Sequence, residues 1–455
     1  MRPSVDSLLR KYDVPVPRYT SYPAVPFWKN DDFDTAAWAE IVRRTFNESN
    51  EKKGISLYLH LPFCESLCTY CACNTRITRN HGVESTYIDA VLKEWERYLE
   101  IFGARPVIRE LHLGGGTPTF FSAANLGKLL KALLREGIVH GSPAFSFEGH
   151  PNNTTKEHLE VLSDAGFRRV SYGVQDLDEK VQRAIHRIQP FTNVERVTRQ
   201  SREAGYTSVS FDLIYGLPYQ TLDSVARTIA RVISLRPDRI AYYSYAHVPW
   251  VRPGQRGYED ADLPSDVAKR ALYEEGRRML LAAGYLDIGM DHFALPGDAL
   301  ALAQASGELH RNFMGYTTTQ TDLLIGLGAS AISDARYAYA QNAKKVEDYS
   351  SAVNGGSLSV FKGHRLSDED LIVKQCILDI ACRGEVAREL LALVMREETN
   401  ARLQEMEADG LVRCSSDGLY VTETGRPFVR NICSVFDANI GARERARNDL
   451  FSKAV

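Results

Sequence analysis

Short apolar runs alternate with longer amphipathic segments between residues 55 and 246. The runs are rich in β-branched and aromatic residues and occupy 55–61, 108–116, 144–151, 168–175, 208–216 and 239–246. The segments between them have helical periodicity, as in 85–102, 123–137 and 155–166. In the last of these, Thr155 is a predicted N-cap and Gly166 a predicted stop. This alternation predicts parallel strands joined by right-handed helical crossovers.

Six strand–helix units are fewer than the eight of a closed barrel. We therefore expect an α/β fold built on an open, partial (β/α)6 barrel, with its active site at the carboxyl ends of the strands. Residues suited to binding or chemistry gather at those predicted ends. They are a cysteine-rich loop after the first strand, Gly114-Gly115-Gly116 after the second, Glu148 after the third, Gln175 after the fourth and Asp212 after the fifth.

Two regions flank the predicted barrel of residues 51–365. Residues 1–50 form an N-terminal arm, in which 14–28 is rich in proline and tyrosine and too irregular for one element. Residues 366–455 are predicted to be a mostly helical C-terminal domain with a hairpin within 409–429. The hairpin resembles the wing of a winged helix, but no basic surface accompanies it. Packing or covering of a substrate is therefore favoured over DNA binding.

Composition limits the possible functions only broadly. The chain has 455 residues, with 55 Lys plus Arg, 58 Asp plus Glu and 44% apolar residues. These values are ordinary for a globular protein, and the balanced charge gives no indication of nucleic-acid binding. The sequence has neither a signal-peptide pattern nor a long uncharged apolar run. A cytoplasmic protein that does not contact a membrane is therefore expected.

A single loop holds half of the eight cysteines, at positions 64, 68, 71 and 73. In a reducing compartment such clustering indicates metal ligands or redox groups rather than disulfides. A structural zinc site normally draws ligand pairs from two elements, and no second pair is apparent. A Cys68–Cys71 redox pair lacks a thioredoxin-like context. An iron–sulfur cluster, whose thiolate ligands come from such loops, is the third interpretation.

The Cys-x3-Cys-x2-Cys spacing resembles the ligand motif of the radical S-adenosylmethionine (SAM) enzymes. The resemblance implies that Cys64, Cys68 and Cys71 hold a [4Fe–4S] cluster, and that SAM chelates the remaining iron. It also implies that an electron from the cluster cleaves SAM to methionine and a 5′-deoxyadenosyl radical. The glycines at 114–116 match the segment that contacts the amino group of SAM. Glu148 lies where a carboxylate would bind ribose hydroxyls.

Further segments resemble the oxygen-independent coproporphyrinogen III oxidases, a radical SAM family of haem biosynthesis. They are 17–23, 111–119, 171–176, 211–221, 245–249, 289–294, 309–318, 328–333, 339–342 and 430–437. The resemblance implies oxidative decarboxylation of two propionates of coproporphyrinogen III to vinyl groups, giving protoporphyrinogen IX, with SAM consumed as co-substrate. It also implies a monomer and a reducing electron donor, flavodoxin- or ferredoxin-like.

That family binds two SAM molecules, and its contacts transfer to this chain where the motifs match. The first SAM is expected to contact Tyr58, Gly115, Glu148 and Ile332. The second is expected to contact Tyr70, Gly116, Thr117, Gln175, Arg187, Asp212 and Ala246. Without the resemblance, Arg187 has a simpler interpretation, since it follows His186 late in a predicted helix and would complement the helix dipole.

Substrate propionates call for basic and hydroxyl partners. Arg18, Tyr19 and Tyr22 lie in an arm segment that is expected to close over the site and exclude water and oxygen. Arg311 and His292 are further candidates. The fourth loop cysteine, Cys73, is not expected to bind the cluster, and is placed near the substrate or in a proton or electron relay. As catalytic residues we therefore name Cys73, Arg18 and Tyr19.

Two local departures from the family pattern leave alternatives open. Glu148 is followed by Gly149-His150-Pro151, where a small or apolar residue followed by Asp is expected, and Ala72 stands where glycine is frequent. His150 would transfer a proton or cap the next helix. The alternative functions are a two-SAM radical methyltransferase, an anaerobic haem-modifying enzyme, a haem chaperone and a zinc scaffold. The arm and Cys73 argue against the chaperone, which lacks both.

Overall fold

The structure is a computed structural model that describes residues 5–29, 33–250, 252–441 and 451. The N-terminal arm contributes the helices α1 (Val5–Tyr12) and α2 (Thr35–Lys53). α2 begins after Asp34, whose side chain accepts a hydrogen bond from the backbone N–H of Ala37 at 2.8 Å. Such N-caps satisfy a backbone donor that the first helical turn leaves free.

The predicted barrel region alternates strands and helices. Its elements are β1 (Ile55–Leu61), β2 (Phe63–Cys64), β3 (Arg76–Ile77), α3 (Val83–Phe102), β4 (Val107–Gly115), α4 (Ala123–Arg135), β5 (Ile138–Gly149), α5 (Lys156–Asp164), β6 (Phe167–Gln175), α6 (Glu179–Ala184), α7 (Phe191–Glu203), β7 (Ser208–Tyr215), α8 (Leu222–Leu235) and β8 (Arg239–Ser244). α5 begins at the predicted N-cap, Thr155, which forms a capping box with His158. All six predicted strands are present.

The chain then adds mostly short elements. They are α9 (Asp266–Ala282), β9 (Leu286–Gly289), β10 (His292–Ala294), α10 (Ala299–Ser306), β11 (His310–Asn312), β12 (Gly315–Thr317), β13 (Leu324–Leu327), β14 (Ile332–Asp334), β15 (Ala338–Asn342), α11 (Val346–Asn354) and β16 (Val360–Arg365). The C-terminal region contains α12 (Asp368–Arg383), β17 (Glu385–Ala387), α13 (Arg388–Val394), α14 (Glu397–Ala408), β18 (Val412–Ser415), β19 (Gly418–Val421), α15 (Val429–Ser434) and α16 (Ala438–Gly441).

A twelve-stranded sheet organises the described residues. β1, β4, β5, β6, β7 and β8 pair in parallel in chain order, and β13 pairs in parallel with the other edge of β1. Antiparallel strands extend both ends, β14 to β16 beyond β13 and β10 with β9 beyond β8. Because β16 and β9 end the sheet without pairing to each other, the barrel is open. This confirms the predicted α/β fold and open barrel.

The main hydrophobic core lies between the parallel strands and the helices that cover them. Alternate residues of β1 and β4, including Leu57, Leu59, Leu111 and Leu113, are fully buried in it. The side chains between them point to the interior of the open barrel, as the period-2 geometry of a strand requires. The polar residues of these strands are therefore directed at the same interior as the strand ends.

The arm packs on the C-terminal region rather than standing apart from it. Leu8, Tyr12, Tyr19 and Tyr22 share a second hydrophobic cluster with residues of α12, α14 and α15. Lys11 and Tyr12 both bond to Asp409, at 2.5 and 2.6 Å. β18 and β19 form the predicted hairpin, to which β17 adds a third strand. Of the helices in the described ranges, none has the length and apolarity that crossing a bilayer requires.

Candidate active site

A cavity of about 610 Å³ opens at the carboxyl ends of the parallel strands. Its lining contains most of the residues named from the sequence: Cys64, Cys68, Tyr70, Cys71, Cys73, Gly115, Gly116, Thr117, Glu148, Gln175, Arg187 and Asp212. These residues come from the cysteine loop and from β4 to β7. The structure therefore brings together residues that lie more than a hundred positions apart in the sequence, at the place where a parallel α/β fold binds ligands.

The cysteine loop is held at its base and along its length. Its ends are joined by the short parallel pairing of β2 with β3. In the middle of the loop, Thr69 donates from its N–H to the carbonyl of Ile185 at 3.1 Å and from its hydroxyl to Ala184 at 3.2 Å. Gln255 donates to the carbonyl of Tyr70 at 3.4 Å, and Arg252 donates to that of Ala72. The thiols are thus presented by a backbone fixed on two sides.

The four thiols differ in their surroundings. A hydrogen bond with Cys73 lowers the pKa of Cys71 to about 6, and the same bond raises that of Cys73. Burial raises the pKa of Cys64 to about 11, and its Sγ lies 3.3 Å from Oγ1 of Thr117. In the part of the chain that the structure describes, no three His, Cys, Asp or Glu side chains are spaced to hold a single metal ion.

Glu148 stands on β5 at the inner wall of the cavity. Its Oε2 accepts a hydrogen bond from the N–H of Gly115 at 3.3 Å, and its Oε1 lies 3.4 Å from Nε2 of His112. The side chain remains 44% exposed, so it faces the cavity. Gly114 makes this arrangement possible, because a Cβ there would lie 3.0 Å from both Oε1 of Glu148 and the ring of Tyr58.

Gln175 and Arg187 meet above Gly173 on β6. A Cβ on Gly173 would lie 2.5 Å from Nε2 of Gln175 and 2.9 Å from Nη2 of Arg187. Gln175 has φ +65°, a left-handed conformation that residues with a Cβ rarely adopt and that is enriched at functional sites. The close approach of the two side chains therefore depends on glycine at position 173.

Arg187 lies outside any helix, because α6 ends at Ala184. Its Nη2 donates to the carbonyl of Gly173 at 2.6 Å, and its Nη1 lies 3.6 Å from Sγ of Cys68. Its Nε is buried without a hydrogen-bond partner among the described residues. The interpretation as a residue that complements a helix dipole is therefore wrong, and the guanidinium is directed into the cavity wall.

Asp212 on β7 accepts a hydrogen bond from the hydroxyl of Ser171 at 2.9 Å. Burial, together with the negative charge of Glu148, raises the pKa of its carboxyl group to about 7. The carboxylate therefore sits where its charge has little stabilisation from neighbours. A hydroxyl or cationic group of a ligand would supply that stabilisation.

Several residues named from the sequence lie outside the cavity lining. Tyr58 lies below Glu148, where its hydroxyl is 3.1 Å from Nδ1 of His60 and its ring stacks on His112. Ile332 packs with a small hydrophobic cluster. Ala246 is exposed after β8, and its carbonyl accepts a hydrogen bond from Gln255 at 3.1 Å.

The arm residues lie behind the cavity wall. Arg18 pairs with Asp291 at 2.5 Å, and its guanidinium carbon is 5.5 Å from the ring centre of Tyr243, which lines the cavity. Tyr19 is buried, and its hydroxyl donates to Asp437 at 3.1 Å. The segment is therefore packed and hydrogen-bonded in this structure, one layer of side chains away from the cavity.

His150 lines the cavity beside Arg187. Its Nδ1 accepts a hydrogen bond from the N–H of Asn152 at 3.1 Å, so it caps the turn after β5 rather than helix α5. Burial and the charge of Arg187 lower its pKa well below the usual value. His150 is therefore neutral at physiological pH.

Sequence reasoning missed Ser171, Gly173 and Tyr243 as cavity residues. A signal for Ser171 and Gly173 was present, because they alternate with Gln175 along one strand, and alternate residues of a strand share a face. Tyr243 gave no comparable signal, since it lies within a run of three tyrosines between residues 242 and 245.

The fold and the site together define the class of the protein. The barrel is open and parallel, and a loop with the Cys-x3-Cys-x2-Cys motif follows its first strand. Residues 58–232 match the profile of the Radical SAM superfamily. The chain is 39% identical to the oxygen-independent coproporphyrinogen III oxidase of Escherichia coli K12, over 99% of this chain and 98% of the relative. It is 36% identical to the enzyme of that name from Synechocystis, over 98% and 97% of the two chains.

A solved structure agrees with these relatives. That structure is the E. coli coproporphyrinogen III oxidase, described as a radical SAM enzyme, with a TM-score of 0.89 and 36% identity over 96% of this chain and all of that one. The chain belongs to the family of oxygen-independent coproporphyrinogen III oxidases.

Proposed function

We propose that the chain converts two propionates of coproporphyrinogen III to vinyl groups by oxidative decarboxylation, giving protoporphyrinogen IX in anaerobic haem biosynthesis. The observation that carries the proposal is the cavity itself. The chain is 39% identical over its length to a coproporphyrinogen III oxidase. Its cavity is lined by the cysteine loop, by two carboxylates and by a guanidinium whose Nε has no partner among the described residues. The alternatives considered from the sequence have no such observation in their favour.

The residues present fit a [4Fe–4S] cluster and SAM. Cys64, Cys68 and Cys71 line the same cavity and would hold the cluster. The buried Nε of Arg187, without a partner among the described residues, suits the carboxylate of a methionine group. When bound, the cluster supplies a low-potential electron and SAM the radical that removes a hydrogen atom from the substrate.

Two SAM molecules are part of the proposal, with each set of contacts as inferred from the family. Gly115 and Glu148 would bind the first, together with Tyr58 and Ile332. Tyr70, Gly116, Thr117, Gln175, Arg187 and Asp212 would bind the second, together with Ala246. Tyr58, Ala246 and Ile332 lie outside the cavity lining, so these three would reach a ligand only after neighbouring side chains move.

The chain's own groups would position the substrate and exclude water. Cys73 lines the cavity beside the cluster ligands and would face the substrate. Arg18 would offer a positive charge to a propionate, and Tyr19 would hold the arm closed through Asp437. The packing of Arg18 against Tyr243 in the cavity wall supports this role, since a closed wall would protect a radical from solvent.

The remaining partners are proposed on the same basis. Reduction of the cluster calls for a one-electron donor protein of the flavodoxin or ferredoxin type. All eight cysteines are free, which suits the reducing cytoplasm. We propose a monomer that binds neither nucleic acid nor membrane, divided into the arm (1–50), the barrel (51–365) and the C-terminal domain (366–455).

An anaerobic assay tests the function. Reconstituted, reduced protein is incubated with SAM and coproporphyrinogen III, and vinyl product and 5′-deoxyadenosine are measured together. We expect both products from the wild type and neither from Cys71→Ala. Cys414→Ala, which removes an exposed thiol on β18, is the matched control and should keep wild-type activity. Formation of 5′-deoxyadenosine without a vinyl product would show that the proposed substrate is wrong.

A further inference from the structure

Three basic side chains form a contiguous group behind Tyr243 in the cavity wall. We call Arg18, His292 and Arg311 the basic cluster. Arg18 lies over the ring of Tyr243, whose hydroxyl is 3.4 Å from Nε2 of His292. Arg311 donates from Nη2 to the carbonyl of Arg18 at 3.3 Å. The cluster therefore joins the arm, β10 and β11 at one point next to the cavity.

Arg311 uses little of its hydrogen-bonding capacity. The residue is only 5% exposed, yet its Nε and Nη1 have no hydrogen-bond partner within the described part of the chain. The buried Nδ1 of His292 is unpartnered among the same residues. A buried guanidinium without a counter-charge is destabilising, so natural proteins retain one where something pairs with it.

Positive charge exceeds negative charge around the basic cluster. Asp291 is already engaged by Arg18 at 2.5 Å. Arg430, only 7% exposed, adds a second guanidinium near Arg18 and donates to the carbonyls of Val16 and Pro17 among its contacts. Burial, and after it the charge of Arg18, lower the pKa of Arg430 to about 10. A carboxylate that binds here would be stabilised both by positive charge and by the unpartnered N–H donors of Arg311.

A purely structural role explains Arg311 poorly. The guanidinium carbon lies 4.8 Å from the ring centre of Tyr316, a cation–π distance, and its hydrogen bond to the carbonyl of Arg18 is long, at 3.3 Å. Structural arginines elsewhere in this chain are used more fully. Arg402, for example, donates to both the carbonyl and the hydroxyl of Ser434 at 3.1 Å.

We propose that the basic cluster binds a propionate of coproporphyrinogen III that the reaction leaves intact, with Arg311 as its main partner. This inference rests on the proposed function, which supplies a substrate with four carboxylates of which two survive. Near the cysteine loop the cavity carries the carboxyl groups of Glu148 and Asp212, and Arg187 beside them is assigned above to the carboxylate of SAM. The basic cluster offers a propionate the opposite charge, so it orients the substrate with a reacting propionate directed away from itself.

Binding of stable porphyrins to the full-length chain tests the inference without turnover. Coproporphyrin III and protoporphyrin IX are titrated, with porphyrin fluorescence as the signal. In Arg311→Gln we expect both to bind on the order of 10- to 100-fold more weakly, because a charged hydrogen-bonded pair is lost. Arg311→Lys, which keeps the charge, should lose less. The tetramethyl ester of coproporphyrin III should bind wild type and Arg311→Gln equally.

The melting temperature of the variants distinguishes a role of Arg311 in binding from a structural role. Because Nε and Nη1 of Arg311 are unpartnered, Arg311→Gln should leave the melting temperature of the unliganded protein nearly unchanged. Arg402→Gln is the matched control, and should lower the melting temperature while binding porphyrin as the wild type does. The reverse pattern for Arg311→Gln, lower stability with unchanged binding, would overturn the inference. Should that variant not fold, Arg311→Lys replaces it, and a smaller loss of porphyrin binding at unchanged melting temperature is then expected.

The inference and the proposed function fail in different experiments. A wild type that makes vinyl product, together with an Arg311→Gln variant that binds coproporphyrin III normally, refutes the basic cluster alone. A wild type that makes no vinyl product refutes the function. No measurable binding of coproporphyrin III to the wild type counts against the basic cluster as a carboxylate site.

Discussion

Gly173 determines how closely Gln175 and Arg187 approach each other in the cavity wall. Arg187 reaches the carbonyl of Gly173 only because no side chain stands there. The same absence leaves room for the amide of Gln175. The absence of a side chain at Gly173 therefore allows the long side chains of Gln175 and Arg187 to lie close together.

Gly173→Ala should therefore weaken SAM binding more than it weakens folding. The new methyl group meets the ends of two flexible side chains, which would swing away from the cavity. Loss of one charged hydrogen bond predicts a rise in Kd of about tenfold or more. Calorimetric titration with SAM measures it. Gly141→Ala, where a Cβ meets nothing within 4 Å, is the control and should bind SAM normally.

Asp212 should make the unfolding free energy depend on pH. Burial raises its pKa from 3.8 to about 7, so between these values the folded state holds a proton that the unfolded state has lost. Stability from this group is fully present below pH 3.8 and is lost as pH rises through 7, with a slope of up to about 1.4 kcal/mol per pH unit.

Urea unfolding of the wild type and Asp212→Asn from pH 4.5 to 8 measures this contribution as the difference between the two curves. We expect the wild-type curve to fall more steeply with rising pH. Asp223→Asn, which changes a carboxylate that is 79% exposed, should keep the wild-type slope. Parallel curves for wild type and Asp212→Asn would mean that Asp212 is already ionised in the folded protein.

At the scale of the elements, a buried carboxylate on α3 forms hydrogen bonds with the sheet and with a neighbouring helix. Glu94 accepts hydrogen bonds from the hydroxyl of Tyr349 at 2.7 Å, the N–H of Gly328 at 2.8 Å and the amide of Asn342 at 2.7 Å. These partners belong to α11, to the turn after β13 and to β15. Glu94 thus connects the helix after the cysteine loop to strands formed much later in the chain.

Glu94→Ala should destabilise the protein by about 3 kcal/mol or more, because it leaves three buried donors without an acceptor. Urea denaturation at pH 7 measures the change. Glu96→Ala removes an exposed carboxylate from the same helix and should alter stability by less than about 0.5 kcal/mol. A comparable loss in both variants would contradict the assignment of the effect to the buried hydrogen bonds of Glu94.

The predictability of an element followed its length and periodicity. The six barrel strands have six to twelve residues with regular alternation or dense β-branched composition, and all were predicted. β13, which completes the parallel set beside β1, has only four residues, all of them buried. Such a run lacks a periodic signal, and its pairing depends on contacts that no local pattern contains.

The residues of the candidate site were likewise predictable only in part. Strand ends placed Glu148, Gln175 and Asp212 correctly in one cavity, because the carboxyl ends of parallel strands must meet. Arg187 was placed on a helix because the sequence does not reveal that α6 ends at Ala184. The basic cluster was not predicted as a unit, since the arm, β10 and β11 meet only in the folded chain.

At the scale of the whole molecule, the arm and the C-terminal region pack on each other next to the basic cluster. Tyr19 contributes a buried hydrogen bond to Asp437, and Arg430 holds the backbone at Val16 and Pro17. Residues from both ends of the chain thereby pack together behind the wall of a cavity that is lined by residues 64 to 243.

Tyr19→Phe should raise the KM for coproporphyrinogen III several-fold while leaving the Kd for SAM unchanged. The variant removes the hydroxyl that reaches Asp437 at a net cost of about 1 kcal/mol, loosening the arm but not the cavity wall. Steady-state kinetics and SAM titration measure the two quantities. Tyr337→Phe, which removes an exposed hydroxyl bonded to Glu48, is the control. An equal effect on SAM binding would contradict a role confined to the substrate.

The pairing of β1 with β13 has a consequence for biosynthesis. Ser56 pairs with Leu324, so the strand that precedes the cysteine loop gains its second neighbour only after residue 327 has left the ribosome. Until then one edge of β1 carries unpaired backbone groups, which favour aggregation with other nascent chains. Contacts this distant in sequence also form slowly. Loading of iron and sulfide onto the loop is therefore expected only after translation has passed residue 327 and β13 has paired with β1.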